Sequence, residues 1–147
     1  MQKYILILNG PNLNLLGRRE PKIYGHTTLA DIINGLRKEF TGTEIADYQS
    51  NHEGALIDKL HEVGFDKSCA GVVFNAGAYT HTSLALADAI RSIDVPVVEV
   101  HISNVFSREA IRHQSLIAPA CAGSIAGFGT DVYRLGVEAL LRIEGRG

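Results

Sequence analysis

The chain has 147 residues, of which 46% are hydrophobic and 20% charged, a balance typical of one globular domain. The formal net charge of -2 is not the basic surplus of a nucleic-acid-binding protein, and no apolar stretch is long enough to cross a bilayer. We therefore expect neither nucleic acid nor a membrane as a partner. Two cysteines in apolar stretches, without a signal peptide, favour a cytoplasmic location.

Apolar strands and amphipathic helices alternate along the chain. The patterns predict strands at 4–9, 44–51, 70–78, 96–103 and 122–129, helices at 27–40, 53–65, 81–93 and 130–143, and a short helix at 107–115. This alternation is typical of a parallel sheet covered by helices on both faces. We predict a single α/β domain over 1–147, with a flavodoxin-like doubly wound five-stranded parallel sheet in three layers (α/β/α).

The loop at 9–25 is long for a connection between a strand and a helix, and such loops are usually functional. Its glycines do not match a phosphate-binding pattern. It contains Arg18, Arg19 and Tyr24, and a second basic group (Arg108, Arg112 and His113) follows the fourth strand. A guanidinium near a phenol stabilises the phenolate, which is the form that accepts a proton. The alternative is an ordinary solvated loop.

The predicted fourth strand carries two polar residues where an apolar run is expected. Glu99 and His101 are two residues apart and so lie on the same face of the strand. One interpretation is an ion pair on an edge strand or a hydrogen-bonded core histidine. The other is a histidine that a carboxylate orients and keeps basic. The position of His101 near the end of the strand favours the second interpretation.

The segment 75–90 joins small residues to a predicted helix. Residues 76–78 allow a ligand to approach the backbone, and Thr80 or a neighbour is a candidate N-cap. His81 and Asp88 are seven residues apart and are expected on one helix face. The alternatives are a surface histidine and a solvated carboxylate.

These motifs together resemble the type II 3-dehydroquinate dehydratases. The resemblance covers essentially the whole chain, with NGPNLNLLGRREPKIYG (9–25), YQSNHEGALID (48–58), NAGAYTHTS (75–83), VEVHISN (98–104), REAIRHQS (108–115) and GSIAGFG (123–129). It implies an enzyme of the shikimate pathway or of quinate breakdown that needs no metal, imine or other cofactor. The reaction implied is anti elimination of water from 3-dehydroquinate through an enolate, giving 3-dehydroshikimate.

The resemblance also implies roles for individual residues. Tyr24 matches the general base, Arg19 the arginine that favours its phenolate, and Asn12 the residue that holds a water at the enolate oxygen. His101 matches the proton donor to the leaving hydroxyl, and Glu99 matches its partner.

The implied substrate-binding residues are Asn75, His81, Asp88, Ile102, Ser103 and Arg112. Helix amides near Ile102 and Ser103 are expected to help receive the substrate. Asp88 matches a residue contributed by a neighbouring subunit, and the family forms homo-oligomers in which trimers assemble into a dodecamer.

Three other functions fit the sequence less well. A flavodoxin-like FMN-binding electron carrier requires a hydroxyl-rich loop after the first strand, whereas this loop is rich in Asn and Arg. A receiver-like signalling domain requires an acidic pair at the end of that strand. A hydrolase using Cys121 or Ser103 lacks a supporting motif.

Overall fold

The computed structural model describes residues 2–146, and its centre is a five-stranded parallel sheet. The strands are β1 Tyr4–Asn9, β2 Glu44–Gln49, β3 Cys69–Asn75, β4 Val97–His101 and β5 Gly123–Ala126. Their order across the sheet is β2-β1-β3-β4-β5, and every neighbouring pair is parallel. The predicted flavodoxin-like sheet is therefore confirmed.

Five α-helices accompany the sheet in the described part of the chain. They are α1 Pro21–Tyr24, α2 Leu29–Glu39, α3 Glu53–Gly64, α4 Leu84–Ser92 and α5 Asp131–Arg146. Helices α2 and α5 pack on one face, and α3 and α4 pack on the other. This arrangement is the predicted three-layer architecture. No helix among residues 2–146 is long and apolar enough to cross a membrane.

The alternation of side chains along β1 explains why both faces need a cover. Ile5 and Ile7 belong to the core under α2 and α5, whereas Leu6 and Leu8 belong to the core under α3 and α4. All four side chains are essentially inaccessible to solvent. A strand buried on both faces reads as a continuous apolar run, as expected in a doubly wound sheet.

The start of α4 differs from the prediction. Residues Gly77–His81 form a 3-10 turn, and α4 begins only at Leu84. Its cap is Ser83, whose side chain accepts a hydrogen bond from the Leu86 N–H, whereas Thr80 is buried within the turn. The expectation that His81 and Asp88 share a helix face is therefore wrong, because His81 precedes the helix.

Two connections differ from the prediction. The loop at 9–25 contains a 3-10 turn, Leu13–Leu15, as well as α1. The predicted short helix at 107–115 is instead a 3-10 turn, Ala110–His113, preceded by another at Val105–Ser107. A further turn, Ala118–Ala120, leads to β5.

Candidate active site

A cleft lies at the carboxyl edge of the sheet, beyond the ends of β1, β3 and β4. Ligand sites in doubly wound sheets occupy this edge. The cleft is lined by Pro11, Asn12, Leu13, Arg19, Tyr24, Asn75, Gly77, Ala78, His81, His101, Ile102, Ser103, Val105, Arg108 and Arg112. It brings together nearly all the site residues predicted from the sequence.

The turn after β1 places Asn12 in the cleft wall. Asn12 has a left-handed backbone with φ of 71°, and its N–H donates a hydrogen bond to Asn51 Oδ1 at 3.0 Å. Gly10 lies so close to the next loop that a Cβ atom there would be 2.6 Å from the Ala76 carbonyl oxygen. The loops after β1 and β3 therefore pack directly against each other, which holds this wall of the cleft in place.

Two arginines contact Tyr24, one at its hydroxyl and one over its ring. Arg108 Nη1 donates a hydrogen bond to the Tyr24 oxygen at 2.8 Å. The guanidinium carbon of Arg19 lies 4.5 Å from the centre of the Tyr24 ring, a cation–π arrangement, while its Nη2 donates to Glu20 at 3.4 Å. The predicted proximity of Arg19 and Tyr24 is confirmed. The direct hydrogen bond, however, comes from Arg108, which the sequence did not single out as Tyr24's partner.

His101 and Glu99 form a buried pair on β4. His101 Nε2 lies 2.8 Å from Glu99 Oε2, and Glu99 is completely buried. Because β4 lies between β3 and β5, the interpretation as an ion pair on an edge strand is wrong. His101 also lines the cleft, which fits a histidine that a carboxylate orients for chemistry.

The hydrogen bonds around Glu99 decide its charge. Burial alone raises the pKa of this carboxyl, but hydrogen bonds from His101, Ser115 and Ser124 outweigh burial and hold the pKa below its usual value. A carboxylate can only accept, so the Nε2 of His101 carries a proton. The Nδ1 of His101 is then the nitrogen left to exchange a proton with a ligand.

His81 stands next to His101 at the end of its 3-10 turn. Its Nδ1 donates a hydrogen bond to the Gln114 carbonyl oxygen at 2.8 Å, so this nitrogen carries a proton. The two imidazole rings are stacked, with centroids 6.2 Å apart. His81 therefore has a fixed ring orientation beside the acid–base pair.

The segment after β4 supplies the remaining wall. Ile102 and Ser103 lie in a bend, so the expected helix amides at these positions are absent, and Ser103 Oγ accepts from Arg108 Nη1 at 3.4 Å. Arg112 lies within the turn Ala110–His113 and donates through Nε to Glu109 at 3.2 Å. The terminal nitrogens of Arg112 are thus aligned by an acidic neighbour at the cleft margin.

Asp88 does not reach this cleft in its own chain. It lies on α4 with its side chain 79% exposed, and its ion-pair partner is Arg91 on the same helix, at 3.9 Å. Two of the predicted site residues do not line the cleft. Glu99 is connected to it through its hydrogen bond with His101, and Asp88 lies away from it.

Neither cysteine is suited to act as a nucleophile. Burial, together with the nearby Glu99 charge, raises the pKa of Cys121 to about 12, so its thiolate is scarce at neutral pH. Cys69 is buried, and burial also raises its pKa. Within residues 2–146, no group of three or more His, Cys, Asp or Glu side chains is arranged to hold a metal ion.

Comparisons with known proteins agree with this geometry. The family model described as dehydroquinase class II matches residues 3–141. The 3-dehydroquinate dehydratase of Rhizobium etli is 57% identical over 97% of this chain and 99% of its own. That of Anoxybacillus flavithermus is 56% identical over 97% of each chain.

Solved structures give the same result. The type II dehydroquinase of Butyrivibrio crossotus superposes with a TM-score of 0.91 at 44% identity, covering 95% of this chain and 98% of that one. The type II dehydroquinase of Propionibacterium acnes gives 0.89 at 39% identity, covering 99% and 98%. Sequence, fold and cleft agree, and the chain belongs to the class II dehydroquinase family.

Proposed function

We propose that this hydro-lyase removes water from 3-dehydroquinate by anti elimination through an enolate, with Tyr24 as base and His101 as acid. The observation that supports this mechanism is the composition of a single cleft. It holds a phenol hydrogen-bonded to a guanidinium and an imidazole hydrogen-bonded to a buried carboxylate. Elimination next to a ketone needs one group that accepts a proton and another that donates one.

In the first step, Tyr24 as phenolate takes a proton from the carbon next to the ketone. The electron pair of the broken C–H bond becomes the C=C bond of the enolate, and the negative charge moves to the ketone oxygen. A guanidinium about 4 Å from a phenolate attracts it by roughly 4 kcal/mol at an effective dielectric of 20. Arg108 donates to the Tyr24 oxygen and Arg19 lies over the ring, so both guanidiniums are placed to attract the charge of a phenolate.

The enolate oxygen needs a hydrogen-bond donor while it carries charge. Asn12 lines the cleft, and its backbone is fixed by Asn51. In the proposed mechanism its side chain holds a water against this oxygen. Because the turn is set before substrate arrives, the donor needs little reorganisation during the reaction.

In the second step, His101 protonates the leaving hydroxyl. The C–O bond breaks, water departs, and the enolate electrons form the conjugated enone of 3-dehydroshikimate. Glu99 keeps the imidazolium oriented and offsets its positive charge. The proton held by Tyr24 then returns to solvent, and His101 takes up another, so the enzyme is restored.

The polar groups of the substrate need partners elsewhere in the cleft. We assign its carboxylate and hydroxyls to Asn75, His81, Ile102, Ser103 and Arg112, all of which line the cleft. Arg112 supplies a planar cation suited to a carboxylate, while Ser103 and His81 supply further hydrogen-bonding atoms.

The proposed role of Asp88 depends on the assembly of several subunits. Its exposed side chain on α4 does not line its own cleft and is available to a neighbouring subunit, so we propose that it completes a neighbour's site within a trimer, four of which form a dodecamer. Mixing Tyr24→Phe subunits with Asp88→Asn subunits tests this. A shared site predicts that mixed oligomers regain activity that neither variant shows alone. No regain in mixed oligomers verified by mass would contradict it.

The function itself is tested by following the ultraviolet absorbance of the conjugated enone formed from 3-dehydroquinate. The assay is repeated after incubation of enzyme and substrate with borohydride, which reduces an imine to a stable adduct. Full activity after this treatment is expected, because no step uses a lysine. Absence of enone formation would refute the function, and inactivation by borohydride would refute the proposed route.

A further inference from the structure

Beneath the cleft, three polar side chains form a buried hydrogen-bonded chain. Asn9 ends β1, Asn75 ends β3, and Tyr133 lies in the first turn of α5. They are 1%, 5% and 0% exposed, respectively. Asn9 and Asn75 are register partners in neighbouring strands, so their side chains lie on the same face of the sheet, the face that α5 covers.

The hydrogen bonds of the Tyr133 hydroxyl run in one direction, from Asn75 through Tyr133 to Asn9. It donates its single proton to Asn9 Oδ1 at 2.6 Å and accepts a hydrogen bond from Asn75 Nδ2 at 3.0 Å. Burial raises the pKa of Tyr133, and the hydrogen bond from Asn75 only partly opposes this, so the hydroxyl keeps its proton at neutral pH. With the proton committed to Asn9, the oxygen can only accept from Asn75.

The other end of the Asn75 amide is also fixed. Asn75 Oδ1 accepts a hydrogen bond from the Gly77 N–H at 3.1 Å. An amide that turned over would place its oxygen against the Tyr133 oxygen and its NH₂ against the Gly77 N–H, two repulsive contacts in a buried place. One N–H of Asn75 is used by Tyr133, and the second remains for a ligand in the cleft that Asn75 lines.

We propose that Tyr133, oriented by Asn9, is a positioning residue that makes Asn75 present an N–H donor rather than an oxygen to the substrate. This inference rests on the proposed function, in which Asn75 binds a polar group of the substrate. It adds a specificity requirement, because a fixed donor selects an acceptor such as a hydroxyl oxygen at that place on the ring.

The first test is Tyr133→Phe, which keeps the ring in the core and removes only the hydroxyl. The Asn75 amide loses its acceptor and is then oriented by the Gly77 N–H alone, so the substrate-facing N–H is held less firmly and substrate binding weakens. We expect KM to rise about tenfold and kcat to stay within about threefold, the pattern of a lost uniform binding interaction. A merely structural role would lower the active fraction and hence the apparent kcat, with KM unchanged.

Tyr4→Phe is the matched control. The Tyr4 hydroxyl donates to Asp66 Oδ2 at 2.8 Å, at the opposite end of β1 from the cleft. This change also removes one hydroxyl hydrogen bond, so it is expected to alter stability and to leave KM unchanged. A similar rise in KM in both variants would overturn the inference.

Two further variants keep the test independent of how well Tyr133→Phe folds. Asn9→Leu removes the acceptor of the Tyr133 proton while keeping the tyrosine, and KM should again rise. In an Asn75→Ala background, Tyr133→Phe should change KM by less than about twofold, because the residue through which it acts is gone.

These measurements distinguish a failure of this inference from a failure of the proposed function. If the unaltered protein forms no enone from 3-dehydroquinate, the proposed function fails and this inference falls with it. If the unaltered protein is active but folded Tyr133→Phe and Asn9→Leu keep its KM, only the inference is overturned. A further tenfold rise when Tyr133→Phe is added to Asn75→Ala would also overturn it.

Discussion

Arg108 donates a hydrogen bond to the hydroxyl of Tyr24 at 2.8 Å, although the two residues are 84 positions apart in the chain. The contact joins the loop after β1 to the loop after β4, so it depends on the β2-β1-β3-β4-β5 order that brings these strand ends to one edge. The side chain of Arg108 is only 13% exposed, and it also contacts Ser103. A largely buried guanidinium interacts more strongly than a solvated one, so this contact is expected to matter for the reactivity of Tyr24.

Replacing Arg108 by alanine should therefore lower kcat strongly. A hydrogen bond to a charged group contributes roughly 1.5 to 3 kcal/mol, which corresponds to a loss of about tenfold to more than a hundredfold. Arg108→Lys should recover part of this loss, since an ammonium still stabilises a phenolate but lacks the planar geometry. Steady-state kinetics with 3-dehydroquinate provides the measurement.

The neighbouring pair Arg18 and Arg19 offers a control within the same loop. Arg19 stacks on Tyr24, whereas Arg18 is exposed and does not line the cleft. Arg19→Ala should lower kcat by at least about tenfold, and Arg18→Ala should leave it within about twofold. Equal effects of the two changes would mean that general charge near the cleft, and not placement over the ring, supports the reaction.

Tyr24→Phe should abolish turnover while leaving the fold and most of the substrate binding intact. The change removes one hydroxyl, and a general base contributes roughly 10² to 10⁴ in rate. We expect less than about a hundredth of the original kcat. Tyr48→Phe, a substitution on β2 outside the cleft, serves as the control and should retain full activity. Higher residual activity in Tyr24→Phe would show that another group takes the proton.

The location of the site could be predicted from the sequence because parallel strands end at a common edge. Asn12, Asn75 and His101 follow or end three predicted strands, and the topology rules for alternating strands and helices bring those ends together. The polar residues of β4 were likewise visible as exceptions within an apolar strand. Periodicity and polarity were sufficient for these features.

The pairing of side chains across the cleft could not be predicted in this way. Arg108 and Arg112 belong to one basic group in the sequence, and residue type does not show which of them reaches Tyr24. In the structure Arg108 directly follows the turn Val105–Ser107 and donates to Tyr24, whereas Arg112 lies in the next turn, Ala110–His113. The position of Tyr133 beneath Asn75 has no sequence signal either, since a tyrosine on the apolar face of a helix reads as ordinary core. The 3-10 turn before α4 was missed because Thr80 and Ser83 are comparable caps by residue type.

His101→Ala should separate the two steps of the reaction. Without the imidazole, loss of the hydroxyl slows by about 10² or more, but Tyr24 can still remove the proton next to the ketone. Substrate incubated with the variant in deuterated water should therefore gain deuterium at that carbon without forming enone, as followed by proton NMR. If the variant loses exchange together with elimination, His101 does more than protonate the leaving group.

Glu99→Gln should change how stability depends on pH. Although burial opposes ionisation, hydrogen bonds from His101, Ser115 and Ser124 hold the pKa of Glu99 below its unfolded value. A group of this kind stabilises the fold above its unfolded pKa, about 4.3, and the contribution is lost as pH falls through the lower folded pKa. Urea unfolding from pH 7 to pH 3 should then show the free-energy difference between the original protein and Glu99→Gln shrinking below about pH 4.3. The other carboxyls titrate in both proteins and largely cancel in this difference. A difference that grows as the solution is acidified would mean that burial outweighs the hydrogen bonds and that the folded pKa of Glu99 lies above its unfolded value, which would contradict the role of Glu99 as a stabilised anionic partner of His101.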